Sequence, residues 1–317
     1  MYDAIIVGGG PAGLAAAQAL GRSLRSTLVL DSGKPRNAPA AHMHNFITRD
    51  GTPPAEFRRI ARDELGRYGT VEIRDVAALD VASQENGGFA VTLPEGEVVG
   101  GRKLLLATGV IDEHPPIEGI AELWGRGVYH CPFCHGYEVR GMPLAVLGGA
   151  PQAIHLALHL RHLSDDVVLC TNGPADLDAA TREKLEANGV PVREEPVIRL
   201  QQRDGQLDQI VFAGGEPLAR HAVFSTLAPM LQRSDLPRQL GCRILDDDSV
   251  EIDQLGQTSV PGVFAAGDMA RRADSGRMPA VIAAAANGTV AGAAIARDLV
   301  TEDAANAVRE RSAARSA

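Results

Sequence analysis

The sequence predicts an α/β protein with two nucleotide-binding, Rossmann-like units, and three observations carry that prediction. First, an apolar run, Ala4-Ile5-Ile6-Val7, feeds directly into Gly8-Gly9-Gly10-Pro11-Ala12-Gly13. Second, about 140 residues later the pattern returns imperfectly, as Leu144–Leu147 followed by Gly148-Gly149-Ala150-Pro151-Gln152-Ala153. Third, two more apolar runs, Lys103–Gly109 and Gly262–Asp268, end in small-residue turns of the kind that closes a buried parallel strand.

In the first unit, the strand at Ala4–Val7 is followed by a Gly-rich turn, a helix through Leu14–Leu20 and a second strand, Thr27–Leu30, that ends on Asp31. This is a GxGxxG turn with an acid about twenty residues on. Gly8 permits the tight turn, Gly10 lets a pyrophosphate approach, and Gly13 lets the helix pack on the sheet. The helix N-terminus attracts phosphate charge, and Asp31 can accept from ribose hydroxyls. The motif by itself does not separate FAD from NAD.

Length and composition set the limits. At 317 residues the chain accommodates about two domains, and 45% apolar residues can supply their cores. A net charge of −9 argues against nucleic-acid or anionic-membrane partners. Residues 1–20 are apolar, but Asp3 stands where a targeting segment carries basic residues, and Gly8-Gly9-Gly10 interrupts the run. Met278–Ala296 carries no charge, yet its Ala, Gly, Asn287 and Thr289 suit a close-packed buried helix better than a membrane span. A cytoplasmic protein is expected.

Along the chain, residues 32–70 read as a loop containing Arg36-Asn37 and His42-Met43-His44-Asn45-Phe46, then a helix from Pro53 to Leu65. Val71–Asp80 and Phe89–Leu93 read as strands joined by a turn at Glu85-Asn86-Gly87-Gly88. His114-Pro115-Pro116 cannot continue a strand and marks a hinge. The second unit has a strand at Leu144–Leu147, a helix to Leu163 and a strand at Val167–Cys170. Its defects are informative. Ala150 stands where the close-approach glycine belongs, Pro151 removes a backbone N–H, and Cys170–Asp176 offers no Arg or Lys for a 2′-phosphate. His155, His159 and His162 share a helix face at spacings of four and three; with no fourth ligand evident they read as a polar surface stripe, and no metal is expected. Asp246-Asp247-Asp248 marks a second hinge, a long Ala-rich helix begins at Pro279, and the charged tail from Thr301 is uninformative.

The chemistry concentrates in Cys131-Pro132-Phe133-Cys134-His135-Gly136-Tyr137-Glu138. Two cysteines two residues apart can close a small disulfide ring and make a thiolate available near neutral pH. His135 follows the second cysteine and could move protons. A half zinc site would need a second cysteine pair or placed histidines, whereas Cys170 and Cys242 stand alone. A structural disulfide belongs mainly to oxidising compartments. Flanking nucleotide-binding strands favour a redox pair over both.

Taken together, the opening glycine motif, Ala107-Thr108-Gly109, the CxxC inside the second unit and Val263-Phe264-Ala265-Ala266-Gly267-Asp268 resemble, in order and over almost the whole chain, the low-molecular-weight thioredoxin reductases. The resemblance implies a thioredoxin reductase-like fold: a discontinuous FAD-binding domain (1–114 and 247–317) and a central module (115–246) that carries the CxxC. It implies FAD as cofactor and a homodimer. The residues it assigns to FAD are Gly8, Gly10, Pro11, Ala12, Gly13, Asp31 and Ser32 around the first turn, and Arg36, Asn37, His42 and Asn45 in the loop that follows. Val76, Ala107, Thr108, Gly109, Gly267, Asp268, Ala280 and Val281 complete that set. Asp268 would hold the ribityl chain and Asn45 would lie near the flavin.

The departures point to a branch. Ordinary members carry Asp where this chain has His135, and they keep an intact NADPH motif with a basic cluster. CPFCHGYE beside a degraded central site looks like the FAD-dependent dithiol oxidases of gliotoxin, holomycin and romidepsin biosynthesis. That likeness implies closure of an intramolecular disulfide in a small natural-product dithiol, with O2 as acceptor and hydrogen peroxide as product. Cys131 would meet the substrate, Cys134 would face the flavin, and His135, tuned by Glu138, would exchange protons with sulfur. Two alternatives stand beside it: an NADPH-driven disulfide reductase, and a non-enzymatic flavoprotein that carries or senses a thiol.

Overall fold

The computed structural model describes residues 1–85 and 87–316, and the chain divides into two compact units. Asn86, in the turn expected at 85–88, lies outside the described residues. The first unit comprises residues 1–36, 55–111 and 230–317; the second comprises 37–54 and 112–229.

In the first unit a seven-stranded sheet has the order Val71–Arg74, Thr27–Leu30, Tyr2–Val7, Val98–Leu106, Phe89–Thr92, Asp80–Ser83, and Val263–Ala265 pairs with Val98–Leu106 off this path. The long central strand is shared: its first half pairs antiparallel with Phe89–Thr92, its last three residues parallel with Val263–Ala265. Alternation along Ala4-Ile5-Ile6-Val7 sorts side chains between two cores. Ala4 and Ile6 face the helices Pro11–Arg22 and Val281–Ser316, together with Val29, Leu105 and Phe264. Ile5 and Val7 face the other layer, with Leu28, Leu30, Phe89 and Val91. A β-carbon at Gly288 would stand 2.0 Å from the Ala12 carbonyl oxygen, so a side chain there would push the two helices apart.

Two expectations change here. Val71–Asp80 is not one strand: Val71–Arg74 pairs with Thr27–Leu30 at one edge, while Asp80–Ser83 pairs with Phe89–Thr92 at the other. A single strand cannot serve both edges. The tail past Thr301 continues the helix begun at Val281 through Ser316. Its acids at Asp298, Glu302 and Asp303 pair with Lys103, Arg102 and Arg25, and Lys103 is only 7% exposed.

The second unit repeats the plan with a five-stranded parallel sheet in the order Val192–Arg193, Val167–Cys170, Leu144–Leu147, Ala222–Ser225, Val128–Tyr129. One face packs on helix Pro151–Leu160, through Leu144, Val146, Leu169 and Phe224. The other packs on an antiparallel three-stranded layer spanning Val197–Ala219, through Leu147, Val168 and Val223.

The unit boundaries differ from the expected 1–114, 115–246 and 247–317. Residues 37–54 join the second unit, where Asn45 and His44 contact the turn at Phe133 and Glu138. Residues 230–246 join the first, where Leu236 and Cys242 enter the core and Met230–Gln232 pairs with the strand at 110–112. Asp247 and Asp248 are consumed in ion pairs with Arg271, Arg277 and Arg238. Among the described residues, no helix is long and apolar enough to cross a membrane.

Candidate functional site

Three turns converge on one end of the first unit's sheet. Gly8 has a left-handed φ of 118°, and a β-carbon on it would stand 2.2 Å from the Ala107 carbonyl oxygen. The Ala107-Thr108-Gly109 turn therefore lies directly against the glycine motif. The Gly267–Asp268 turn closes the third side, with a β-carbon at Gly267 3.1 Å from that of Ala12. The Thr108 hydroxyl donates to Met269 Sδ at 3.3 Å. Asp268 pairs with Arg36 at 3.3 Å. Asp31 is buried; its Oδ1 accepts from Gly33 N at 2.9 Å around Ser32, and Arg62 stands 3.6 Å from Oδ2.

Gly10 is different in kind. Its backbone is extended (φ −80°, ψ −177°), it caps the helix Pro11–Arg22, and a β-carbon on it would meet nothing within 4 Å. Packing does not require glycine at that position, so the space in front of the helix start is free for a ligand. Open space at a helix N-terminus, with the amides beyond Pro11 as donors, is of the kind that takes a phosphate group. Of the remaining expected residues, Val76 packs on the first unit's core, and Ala280 O accepts from Ala284 N at the start of the helix led by Val281. Asn37, His42 and Asn45 belong to the second unit.

Cys131 and Cys134 are joined as a disulfide, with Cα atoms 5.3 Å apart. Pro132 starts a single helical turn, Pro132–His135; Cys134 N donates to Cys131 O at 3.2 Å and Gly136 N to Pro132 O at 2.8 Å. Phe133 projects outward, 69% exposed, edge-on to His159 at 5.0 Å. His135 stacks on Tyr129, ring centroids 4.3 Å apart and 15° from parallel. Both of its ring nitrogens are buried without a hydrogen-bond partner among the described residues. Burial, with a smaller push from His44, drives its pKa down to about 4. Glu138, expected beside His135, instead lies 3.4 Å from His44 Nε2.

That depressed pKa has a definite sign. The imidazole is neutral above about pH 4, so a step that uses it as a base keeps full capacity across physiological pH and loses it only as pH falls through that value. Opening of the disulfide by dithiothreitol is therefore expected to rise with thiol ionisation and to show no break near about pH 6.5, the ordinary histidine value. A break there in a rapid-mixing pH series that disappears in His135→Gln would show that His135 titrates as an exposed ring.

The second glycine turn keeps its shape but not its space. Gly148 has φ 141°, like Gly8 at 118°. Ala150 caps helix Pro151–Leu160 with φ −78° and ψ 163°, matching Gly10, so its methyl group occupies the approach left open in the first unit. Two cations that motif spacing did not reveal stand near the end of strand Val167–Cys170. Arg193 is paired with Glu195 at 2.9 Å and lies over the Phe212 ring at 4.2 Å; Arg182 is paired with Glu194 at 2.9 Å. Arg182 lies on the helix Ala179–Ala187 that follows and Arg193 on the strand after it, and each already has a carboxylate.

Comparison with known proteins extends this geometry. A family model, pyridine nucleotide-disulphide oxidoreductase, matches residues 2–288. Thioredoxin reductase aclD of Aspergillus oryzae is 37% identical over 96% of this chain and 98% of its own length. Thioredoxin reductase tcpT of Claviceps purpurea is 36% identical over 84% of this chain and 86% of its own. Among solved structures, that of HlmI superposes with a TM-score of 0.89 at 40% identity, covering 99% of this chain and 97% of HlmI. The oxidoreductase of Agrobacterium tumefaciens gives 0.87 at 34%, covering 95% and 99%.

Proposed function

The chain belongs to the pyridine nucleotide-disulphide oxidoreductase family, and from that membership we propose that it is a dithiol oxidase closing a disulfide in a small natural product. It is a thioredoxin reductase-like, FAD-binding oxidoreductase. The choice of oxidase over reductase is carried by one observation: Ala150 fills the phosphate approach that Gly10 leaves open. The fungal relatives aclD and tcpT are named thioredoxin reductases, and their likeness supports the disulfide-exchange chemistry that both choices share.

The proposed cycle uses this chain's residues as follows. A substrate thiol loses its proton, and the thiolate attacks Cys131 Sγ, breaking the Cys131–Cys134 bond and releasing Cys134 as thiolate. The second substrate thiol loses its proton and attacks the substrate sulfur of the mixed disulfide; Cys131 leaves as thiolate, and two protons have been released in all. His135, neutral and stacked on Tyr129, is a weak base that holds a proton poorly. Phe133 and Tyr137, both largely exposed on the redox turn, offer apolar surface to the incoming molecule. FAD, when bound, supplies the acceptor for the electron pair as the cysteines close again, and the link to oxygen that yields hydrogen peroxide. The balance is one dithiol plus O2 to one disulfide plus H2O2.

A second reading, the NADPH-driven disulfide reductase, has the preserved backbone shape of the Gly148 turn in its favour. The two separate in one experiment. With dithiothreitol and no pyridine nucleotide, the FAD-loaded protein is expected to consume oxygen and release an equal amount of peroxide, and NADPH under anaerobic conditions is expected to bleach the flavin slowly or not at all. Rapid bleaching by micromolar NADPH would promote the reductase. Tight thiol binding with no oxygen uptake would promote a carrier or sensor.

A further inference from the structure

The protons released at the redox turn need a destination, and His135 offers no partner to hand them to. A different histidine sits between two carboxylates beside the same turn. His44 Nδ1 lies 3.4 Å from Asp50 Oδ2, and its Nε2 lies 3.4 Å from Glu138 Oε1. The His44 side chain is 18% exposed, whereas those of Asp50 and Glu138 are 68% and 40% exposed. All three groups share a compact unit with Cys131 and Cys134.

The loop that carries His44 is built to hold this arrangement. Met43 and Thr52 pair across it, Met43 N donating to Thr52 O at 2.9 Å. Asn45 adopts a left-handed φ of 60°, and its backbone N donates to Asp50 Oδ1 at 2.9 Å. One carboxylate thus fixes both the ring of residue 44 and the backbone of residue 45. The Asn45 side-chain amide donates to the carbonyl of Phe133, the residue between Pro132 and Cys134. Loop and redox turn are therefore tied twice.

A neutral imidazole offers one donor and one acceptor, and an ionised carboxylate only accepts. Both ring nitrogens of His44 face carboxylate oxygens, so the set is complete only when one further proton resides in it. The groups that face His44 are Asp50 from its own loop and Glu138 and His135 from the redox turn. The Asn45 backbone N–H and His44 together hold the Asp50 carboxyl below its usual range, which keeps that end ionised.

We propose that Asp50, His44 and Glu138 form the proton store of the redox turn, taking up through Glu138 a proton released when a substrate thiol opens the Cys131–Cys134 bond. In that step the thiol S–H and the enzyme S–S bond break, a substrate–Cys131 S–S bond forms, Cys134 leaves as thiolate, and the proton moves to the Glu138–His44 pair. No oxidant is consumed. The proposal rests on the reading of Cys131–Cys134 as the redox pair. His44 acts through Glu138 and is a positioning residue.

The test uses the FAD-loaded full chain, mixed anaerobically with dithiothreitol over a pH series, quenched with iodoacetamide and read as alkylated cysteines by mass spectrometry. His44→Gln is expected to open the disulfide about 10- to 100-fold more slowly, with a displaced pH profile and recovery on adding imidazole, because Glu138 loses the ring that sustains its proton uptake. Asp50→Asn, an exposed change on the same loop, is expected to move the pH profile in the same way and stands in if His44→Gln does not fold. The proposal is overturned if the folded variants open within about twofold of wild type at every pH, or if they are slow with an unmoved profile and no imidazole recovery. Failure of wild type itself to be opened by dithiothreitol would instead remove the redox reading beneath it.

Discussion

Cys131→Ser is expected to yield a folded, FAD-containing protein that no longer oxidises dithiols. The turn does not depend on its sulfur–sulfur bond for shape: Cys134 N to Cys131 O and Gly136 N to Pro132 O are backbone contacts that a serine leaves in place. What disappears is the electrophilic sulfur. A serine hydroxyl cannot form the mixed disulfide, and a lone Cys134 cannot close a ring, so turnover should drop by about three orders of magnitude or more. Cys134→Ser is expected to be equally inactive, because nothing then stores the second electron equivalent. The two cysteines are distinguished in the reduced wild type, where iodoacetamide should label Cys131 first, as befits the sulfur that meets the substrate. Oxygen uptake surviving in either serine variant would remove the disulfide from the mechanism, and earlier labelling of Cys134 would exchange the two roles.

Gly10→Val should abolish FAD binding while sparing the fold, and Gly8→Val should damage the fold itself. The contrast rests on geometry. Gly10 has an extended backbone that valine adopts readily, and no heavy atom lies within 4 Å of a β-carbon there. The branched side chain fills only the approach reserved for the pyrophosphate. Gly8, by contrast, has φ 118°, and its β-carbon would collide with the Ala107 carbonyl oxygen at 2.2 Å. Such a clash at the sheet's central turn costs several kcal/mol, of the order of a whole domain's margin of about 5–15 kcal/mol. Purified Gly10→Val should be colourless, with less than about a tenth of the wild-type flavin per protein and a melting point near that of the flavin-free wild type. A yellow Gly10→Val protein would move the cofactor away from this turn.

Much of this was legible because it is local. The glycine turns at Gly8 and Gly148, the strands feeding them and the Ala-rich helix follow from backbone geometry and apolar periodicity, which a few neighbouring residues fix. Ala150 could be read as a defect because a motif assigns each position a steric duty, and the matched backbone angles of Gly10 and Ala150 give that reading its physical content. The pairing of Cys131 with Cys134 likewise spans a sequence separation of only 3.

What spacing could not supply was the identity of partners brought from afar. Glu138 stands just beyond His135 in the chain, yet its carboxylate meets His44, far earlier in the sequence, because the loop at 37–54 folds onto the redox turn. Arg193 stands opposite Cys170 because its strand pairs with Val167–Cys170, and it arrives already matched by Glu195. The protonation of His135 is a matter of burial against Tyr129, and burial is a sum over the whole surrounding fold. The sequence by itself therefore determined the architecture, the glycine turns and the cysteine pair that closes as a disulfide, since steric and covalent constraints act over short stretches. Only the tertiary structure decided which charges and protons those groups face, because electrostatic neighbours are chosen by packing in space and carry no signature in spacing along the chain.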